Sequence, residues 1–345
     1  MLLRRSLCSL VFVVSLQEIA AEQVTTIKVK SDPYSSVTTK DGSRAYVISH
    51  DCVTDITSSE IDVIDIKSRL VTNRIFIERC ADKVFLNADE TKLYVNNNKS
   101  VSVVDTKSLK IINEVKFPEN VTFASNDIQS QDKKKIYYEI WEAFHDQDKP
   151  GRYLLAFDTE TEQLGEPIPL KWDISRMVIS PDGKTIFQAT SPYYMAPAIL
   201  YATNTLTKES IKIGESPILV NGLVMSRDGK SLYLSGNPDT DNKMDWYVYA
   251  FDIESRKFRR IYYAEHEIKI SAVNDDNGSL YLMHKRELRP EISIIHSKSG
   301  AIINSYALNK NISPGELSDV KISSDPMNHS IYFTSTFSSY FGVIA

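Results

Sequence analysis

The sequence predicts an all-β chain folded as a seven-bladed β-propeller of four-stranded antiparallel blades, closed by the N-terminal strand. Three observations carry this: a recurring Asp-Gly phrase, an aromatic at a fixed place after it, and a second phrase that ends in a polar turn. The phrase is clearest in ISPDGKTIFQAT, residues 179–190, and MSRDGKSLYLSG, residues 225–236. Each reads as a strand end, a tight turn and an alternating apolar strand, the pattern of a β-hairpin. Gly accepts positive φ without a steric penalty, and Asp can accept hydrogen bonds from the neighbouring backbone.

The aromatic five residues after the Asp marks further copies: Tyr46, Tyr94, Tyr137, Phe187, Tyr233 and Tyr281, with Tyr332 in a looser seventh. Successive aromatics are 48, 43, 50, 46, 48 and 51 residues apart. A period of that length repeated seven times marks a solenoid or a propeller. The second phrase, an apolar strand closed by a D-x-x-[ST] turn, follows in six copies: IDVIDIKS, VSVVDTKS, LLAFDTET, YATNTLT, YAFDIES and ISIIHSKS. A further strand follows each turn, as in LVTNRIFI and KIINEVKF, so each unit holds four strands and is one blade. The repetition of Asp62, Asp65, Asp105 and Asp158 assigns them to turns as structural acceptors. The chain stops at the third strand of the seventh unit, while VTTIKVK at 24–30 is a spare strand. Pairing these two ends would close the ring and leave no long blade edge open.

Three Trp in the whole chain exclude a WD signature in every blade, and no Gly-Gly doublet suggests kelch. The copies IGESPILVNGLVMSRDGKSLYLSG, YVIS at 46–49 and YVNN at 94–97 resemble the YVTN-repeat family of exported bacterial propellers. The resemblance covers residues 24–345 and implies the fold more than any activity, because one fold hosts many functions. Blade three departs from the pattern, lacking both Pro and Gly in its turn, and blade seven is degenerate.

Residues 1–21 read as a signal peptide: a basic start MLLRR, the apolar run SLCSLVFVVSL, and QEIAA ending in small residues. An apolar run of 11 residues is too short for a helix that spans a bilayer. The expected organisation is therefore a signal peptide over 1–21 and a single propeller over 22–345. Export would place the chain in the periplasm, at the cell surface or in the secreted fraction, with no transmembrane span in the mature chain. The net charge of −5 argues against nucleic acid and anionic membrane as partners. With Cys8 in the leader, Cys52 and Cys80 remain, in loops expected on one face. They are a candidate disulfide for an exported protein, worth roughly 3 to 4 kcal/mol by loop entropy; two separate thiols are the alternative.

That face also carries long, unequal loops between second and third strands, and loops on a rigid scaffold are the usual binding elements. They bring Trp141, Phe144, His145, Trp172, Tyr193, Tyr194 and Trp246 to the expected partner face. Such aromatics either anchor an interface or pack onto neighbouring loops. Asp239, Asp241 and Asp245 are weak metal candidates, lacking the Gly and Glu that an EF-hand needs in register. No catalytic motif is found, neither G-x-S-x-G nor H-E-x-x-H, and no cofactor is identified. The expectation is a non-catalytic scaffold, monomeric outside a complex, that binds a protein or small-molecule ligand through the loop-rich face. Two alternatives are implied by likeness to other propellers: a subunit of a periplasmic amine-dehydrogenase-type complex, or a propeller lactonase.

Overall fold

The computed structural model describes residues 24–31, 33–50, 58–97, 99–119, 121–123, 126–142, 151–170, 174–190, 197–238, 245–274, 277–285, 290–308, 317–322, 330–335 and 339–344. All described elements are strands, arranged as seven antiparallel sheets. Blade one is Pro33–Thr38, Arg44–His50, Ser59–Asp65 and Leu70–Ile77, numbered outward from the ring centre. Blades two, four, five and six repeat this order with inner strands Lys83–Leu86, Ile174–Ile179, Leu219–Met225 and Ile268–Asn274. In blade seven, Leu317–Ile322, Ile331–Ser335 and Tyr340–Ile344 are completed by Val24–Lys28, whose register runs from Val24 opposite Ile344 to Lys28 opposite Tyr340. The N-terminal strand therefore closes the ring, as the spare strand predicts. Among the described residues no helix is long and apolar enough to cross a membrane.

The repeated aromatics explain how blades hold together. All seven are buried. Tyr46 packs with Ala81, Val84 and Leu93 of the next blade, Tyr94 with Ile136 and Phe157, and Phe187 with Ile218, Val220 and Leu232. Tyr332 of blade seven packs with Val47 and Ile64 of blade one, so the same contact recurs across the closure. Because side chains alternate across a strand, neighbours on one second strand serve opposite interfaces: Tyr46 and Ile48 face blade two while Ala45 and Val47 face blade seven. Second strands are thus buried on both faces and read as continuous apolar runs.

The turns opposite the loop-rich face are set by side chains. Asp182 accepts from Ser180 Oγ at 2.7 Å, and Gly183, at φ 70°, donates its amide to the Ser180 carbonyl. Ser226 and Asp228 repeat the arrangement, and blade three keeps it between Ser130 and Asp132 with Lys133 at φ 58° where blades four and five have Gly. In the second phrase the Asp receives the amide three residues on: Ser68 to Asp65 at 2.7 Å, Ser108 to Asp105 at 2.6 Å and Thr161 to Asp158 at 2.8 Å. Even His296 serves, accepting on Nδ1 from the Ser299 amide. The next residue is left-handed throughout: Arg69, Leu109, Glu162, Lys208, Arg256 and Gly300. Only one of the six is Gly, so the other five sit where a β-carbon is penalised. Lys208→Gly, at an exposed site with φ 63°, is expected to stabilise by about 0.5 kcal/mol, the relief of left-handed strain narrowly exceeding the entropy Gly adds to the unfolded chain; urea denaturation checks it.

Asp62 does not belong with these turns. It lies three residues before Asp65, within the third strand of blade one, wholly buried, and accepts from Arg74 Nε at 2.7 Å and from the Lys30 amide at 3.0 Å. The shared residue type in IDVID concealed two different roles.

Candidate functional site

Inner strands begin on the face where second strands end, so the ring centre and the long loops share one face. At that face the inner strands depart from regular pairing. The register shifts between Pro33 and Ser35 in blade one, Ile174 and Arg176 in blade four, Val220 and Gly222 in blade five, Ile270 and Ala272 in blade six, and Leu317 and Asp319 in blade seven. A bulge adds a residue and re-aims the side chains beside it. Blade three goes further. Val121–Phe123 and Ile128–Gln129 both pair with Lys135–Glu142, with Phe123 opposite Ile140 and Ile128 opposite Tyr137. The chain thus has two more residues between Phe123 and Ile128 than its partner has between Ile140 and Tyr137, and Asn126 and Asp127 belong to that excess.

Those of blades one, three, four, five and six border a cavity of about 460 Å³ at the channel mouth. Its polar lining is Lys83, Asn126, Asp127, Arg176, Lys269 and Ser271, drawn from blades two, three, four and six. Gly222 is needed in its wall: a β-carbon there would sit 2.5 Å from Ser235 Oγ and 2.6 Å from the Ile270 carbonyl oxygen.

Arg176 is held by backbone acceptors, donating from Nε to the Asn221 carbonyl at 2.7 Å and from Nη1 to its neighbour Ser175 at 2.5 Å. Among the described residues no carboxylate pairs with it, and burial lowers its pKa from the ordinary guanidinium value. Asp127 accepts from Asn96 Nδ2 at 2.7 Å on one oxygen, while its buried Oδ1 has no partner among the described residues. Burial pushes this carboxyl up to about 7, against the opposing pull of Asn96 and Lys83. Asn126 Nδ2 donates to the buried Glu139 at 2.8 Å and to the Ile174 carbonyl at 2.9 Å, tying the blade-three bulge to blade four.

The rim carries part of the aromatic set read from sequence. Trp141, near the end of the second strand of blade three, is 39% exposed, with the Arg152 guanidinium 3.7 Å from its ring centroid. Arg152 also reaches Glu139 at 3.4 Å, so rim and bulge share one network. Trp246 opens the third strand of blade five, on the same face, but packs against the cluster of Val248, Ile268 and Leu282 and is part of the core between blades five and six. Asp245 accepts from Tyr263 Oη at 2.9 Å. His266 and His284 meet at 2.8 Å between ring nitrogens on this side of blade six. Phe144, His145, Trp172, Tyr193, Tyr194, Asp239, Asp241 and Cys52 lie outside the described residues. Among the described residues no group of three or more His, Cys, Asp or Glu is arranged to hold a metal.

Motif reading missed the channel-mouth residues. Part of their signal was nonetheless present: ISRMVIS, IKISAV and ADKVFLN place a cation in an inner strand.

Fold and site together define a seven-bladed propeller with a polar, bulge-lined channel mouth. No family model matches the chain, and no curated protein matches it. Among solved structures it is similar to Kuenenia stuttgartiensis hydrazine synthase, at 17% identity and a TM-score of 0.67, over 92% of this chain and 97% of that chain. At that identity the likeness is one of fold.

Proposed function

We propose that this chain is an exported binding propeller of the YVTN-repeat type, a non-catalytic scaffold that engages a protein or small ligand through the face where its inner strands begin. The observation that carries the reading is the gathering of departures from the repeat on one face: the bulges, the split strand of blade three and the exposed Trp141. Repetition builds the ring, and only what breaks it distinguishes one blade from another. Residues 1–21 are the export signal in this reading. A Cys52–Cys80 disulfide belongs to it as well, supported by the bonded rather than free state of Cys80.

Trp141→Ala is the sharpest test of the rim, because Trp246 packs into the core and its loss would confound folding with binding. The expected result is at least tenfold weaker capture of the partner by residues 22–345 from an extracellular or periplasmic extract, with stability changed by about 1 kcal/mol or less. Equal capture by the variant and the native chain would remove the rim from the reading.

A further inference from the structure

We infer that the channel mouth is a binding site for a small organic anion, a carboxylate or phosphate compound of metabolite size, with Arg176 as its principal partner. The inference rests on the same face being a binding face, but it concerns the cavity rather than the rim.

The first ground is charge. The chain as a whole is net −5, yet the lining of the cavity has three cations, Lys83, Arg176 and Lys269, to one carboxyl, Asp127, with Glu139 behind the lining Asn126. A cationic pocket in an acidic protein is a local arrangement, and a concave site with low-dielectric walls focuses its field on a ligand of opposite sign. Asp127 opposes that charge weakly, since a carboxyl with a pKa near 7 carries a proton for much of the time at neutral pH.

The second ground is unfinished bonding. Removing a guanidinium from water is costly unless a counter-charge compensates. The Asn221 and Ser175 carbonyls orient Arg176 and satisfy some of its five donors, but they supply no negative charge. An anion in the cavity would supply it. Asp127 Oδ1 and Ser271 Oγ are likewise buried without hydrogen-bond partners among the described residues, and both belong to residues that line the same space. Protonated Asp127 and the Ser271 hydroxyl can each donate to an oxyanion, completing a set of donors around one ligand.

The third ground is construction. Arg176 and Ser271 stand at bulges in blades four and six, and Asp127 in the split strand of blade three. A uniform ring would present equivalent residues from every blade. Here different residue types converge because different blades are distorted. A volume near 460 Å³ falls within the usual range for small-molecule sites.

The test is calorimetric titration of residues 22–345 with succinate, citrate, inorganic phosphate and glycerol phosphate, with glucose as the uncharged probe, in an amine buffer at low salt. The expected result is saturable one-to-one binding of at least one anion, none of glucose, and a loss of at least tenfold in Arg176→Gln. A preference for carboxylates or for phosphates supports the site and states its class. If Arg176→Gln fails to fold, the pair Lys83→Gln and Lys269→Gln replaces it, with at least a threefold loss expected. No saturable binding of any anion by the native chain, or equal affinity in a folded variant, overturns the inference. Trp141→Ala should bind the anion normally, whereas Arg176→Gln should retain capture of a partner held by the rim, so failure of one reading is separable from failure of the other.

Discussion

Replacing Asp127 with Asn is expected to stabilise the chain by roughly 2 to 4 kcal/mol at pH 8 and to change little at pH 4. Burial raises the native pKa of Asp127 from an ordinary carboxyl value to about 7. Between those values the native state binds a proton that the unfolded state has released. Stability from this group is therefore fully present below about pH 4, falls as pH rises, and is lost above about pH 7. Asn carries no charge at any pH and escapes that loss. Its amide can still accept from Asn96 Nδ2, while its own NH2 occupies the place of an oxygen with no partner. Lys83 acts to lower the Asp127 pKa, while Asp82 and Glu139 act to raise it, so the profile reads the balance of these groups with burial. Urea denaturation of both proteins from pH 4 to pH 8, in anion-poor buffer, measures the difference. A gap that does not widen with pH would show that the carboxyl is better solvated or better paired than this geometry allows.

The fold was legible because each blade repeats the residues that make its interfaces. An aromatic buried at every blade contact cannot vary in size without opening a gap, so Tyr46, Tyr94 and their counterparts stay in step with the period. The D-x-x-[ST] turns were legible for a similar reason. An Asp, Asn or even His acceptor satisfies the same amides, and the chain tolerates the substitution so long as the acceptor remains. Parity, however, decides what motif reading passed over. Ile61 and Val63 face blade two while Ile64 faces blade seven, so Asp62 shares the side of Ile64 and lies on the opposite face of the strand from Asp65. Counting by twos along IDVID would have separated the two residues.

The channel mouth was less legible because it depends on departures from period two. A single added residue flips the side chains that follow it to the other face, so the alternation that identifies a strand gives a wrong orientation beyond a bulge. The two excess residues in blade three leave the strand parity intact yet displace Asn126 and Asp127 from the ladder. Their signature in the sequence is slight: the turn that follows lacks Pro and Gly, but so does the turn of the regular blade two, NADETK at 87–92. The rim was half legible, since position along the blade identified the face of Trp141 and Trp246, but only packing distinguishes an exposed ring from one lodged between blades.

Asp62→Ala is expected to cost about 3 kcal/mol, more than the loss of any single turn acceptor, because it acts where the ring closes. Lys30 lies just beyond the closing strand Val24–Lys28, and its amide donates to Asp62 Oδ2 at 3.0 Å. Ser49 Oγ lies 3.4 Å from the same oxygen, and Arg74 Nε donates to the other at 2.7 Å. Removing the carboxylate deprives the Lys30 amide and the Ser49 hydroxyl of an acceptor in a buried place, which costs more than the net worth of the bonds themselves. Arg74 is different. Its side chain is half exposed, so Arg74→Ala leaves Asp62 its other donors and should cost about 1 kcal/mol, as partly solvated pairs do. The closing strand should also loosen in Asp62→Ala, with faster hydrogen exchange at Thr26 and Ile27, whose neighbours Gly342 and Phe341 lie in the same sheet. An Asp62→Ala variant within 1 kcal/mol of the native chain, with unchanged exchange in that strand, would mean that strand pairing and the packing of Ile27 and Val29 close the ring without this carboxylate.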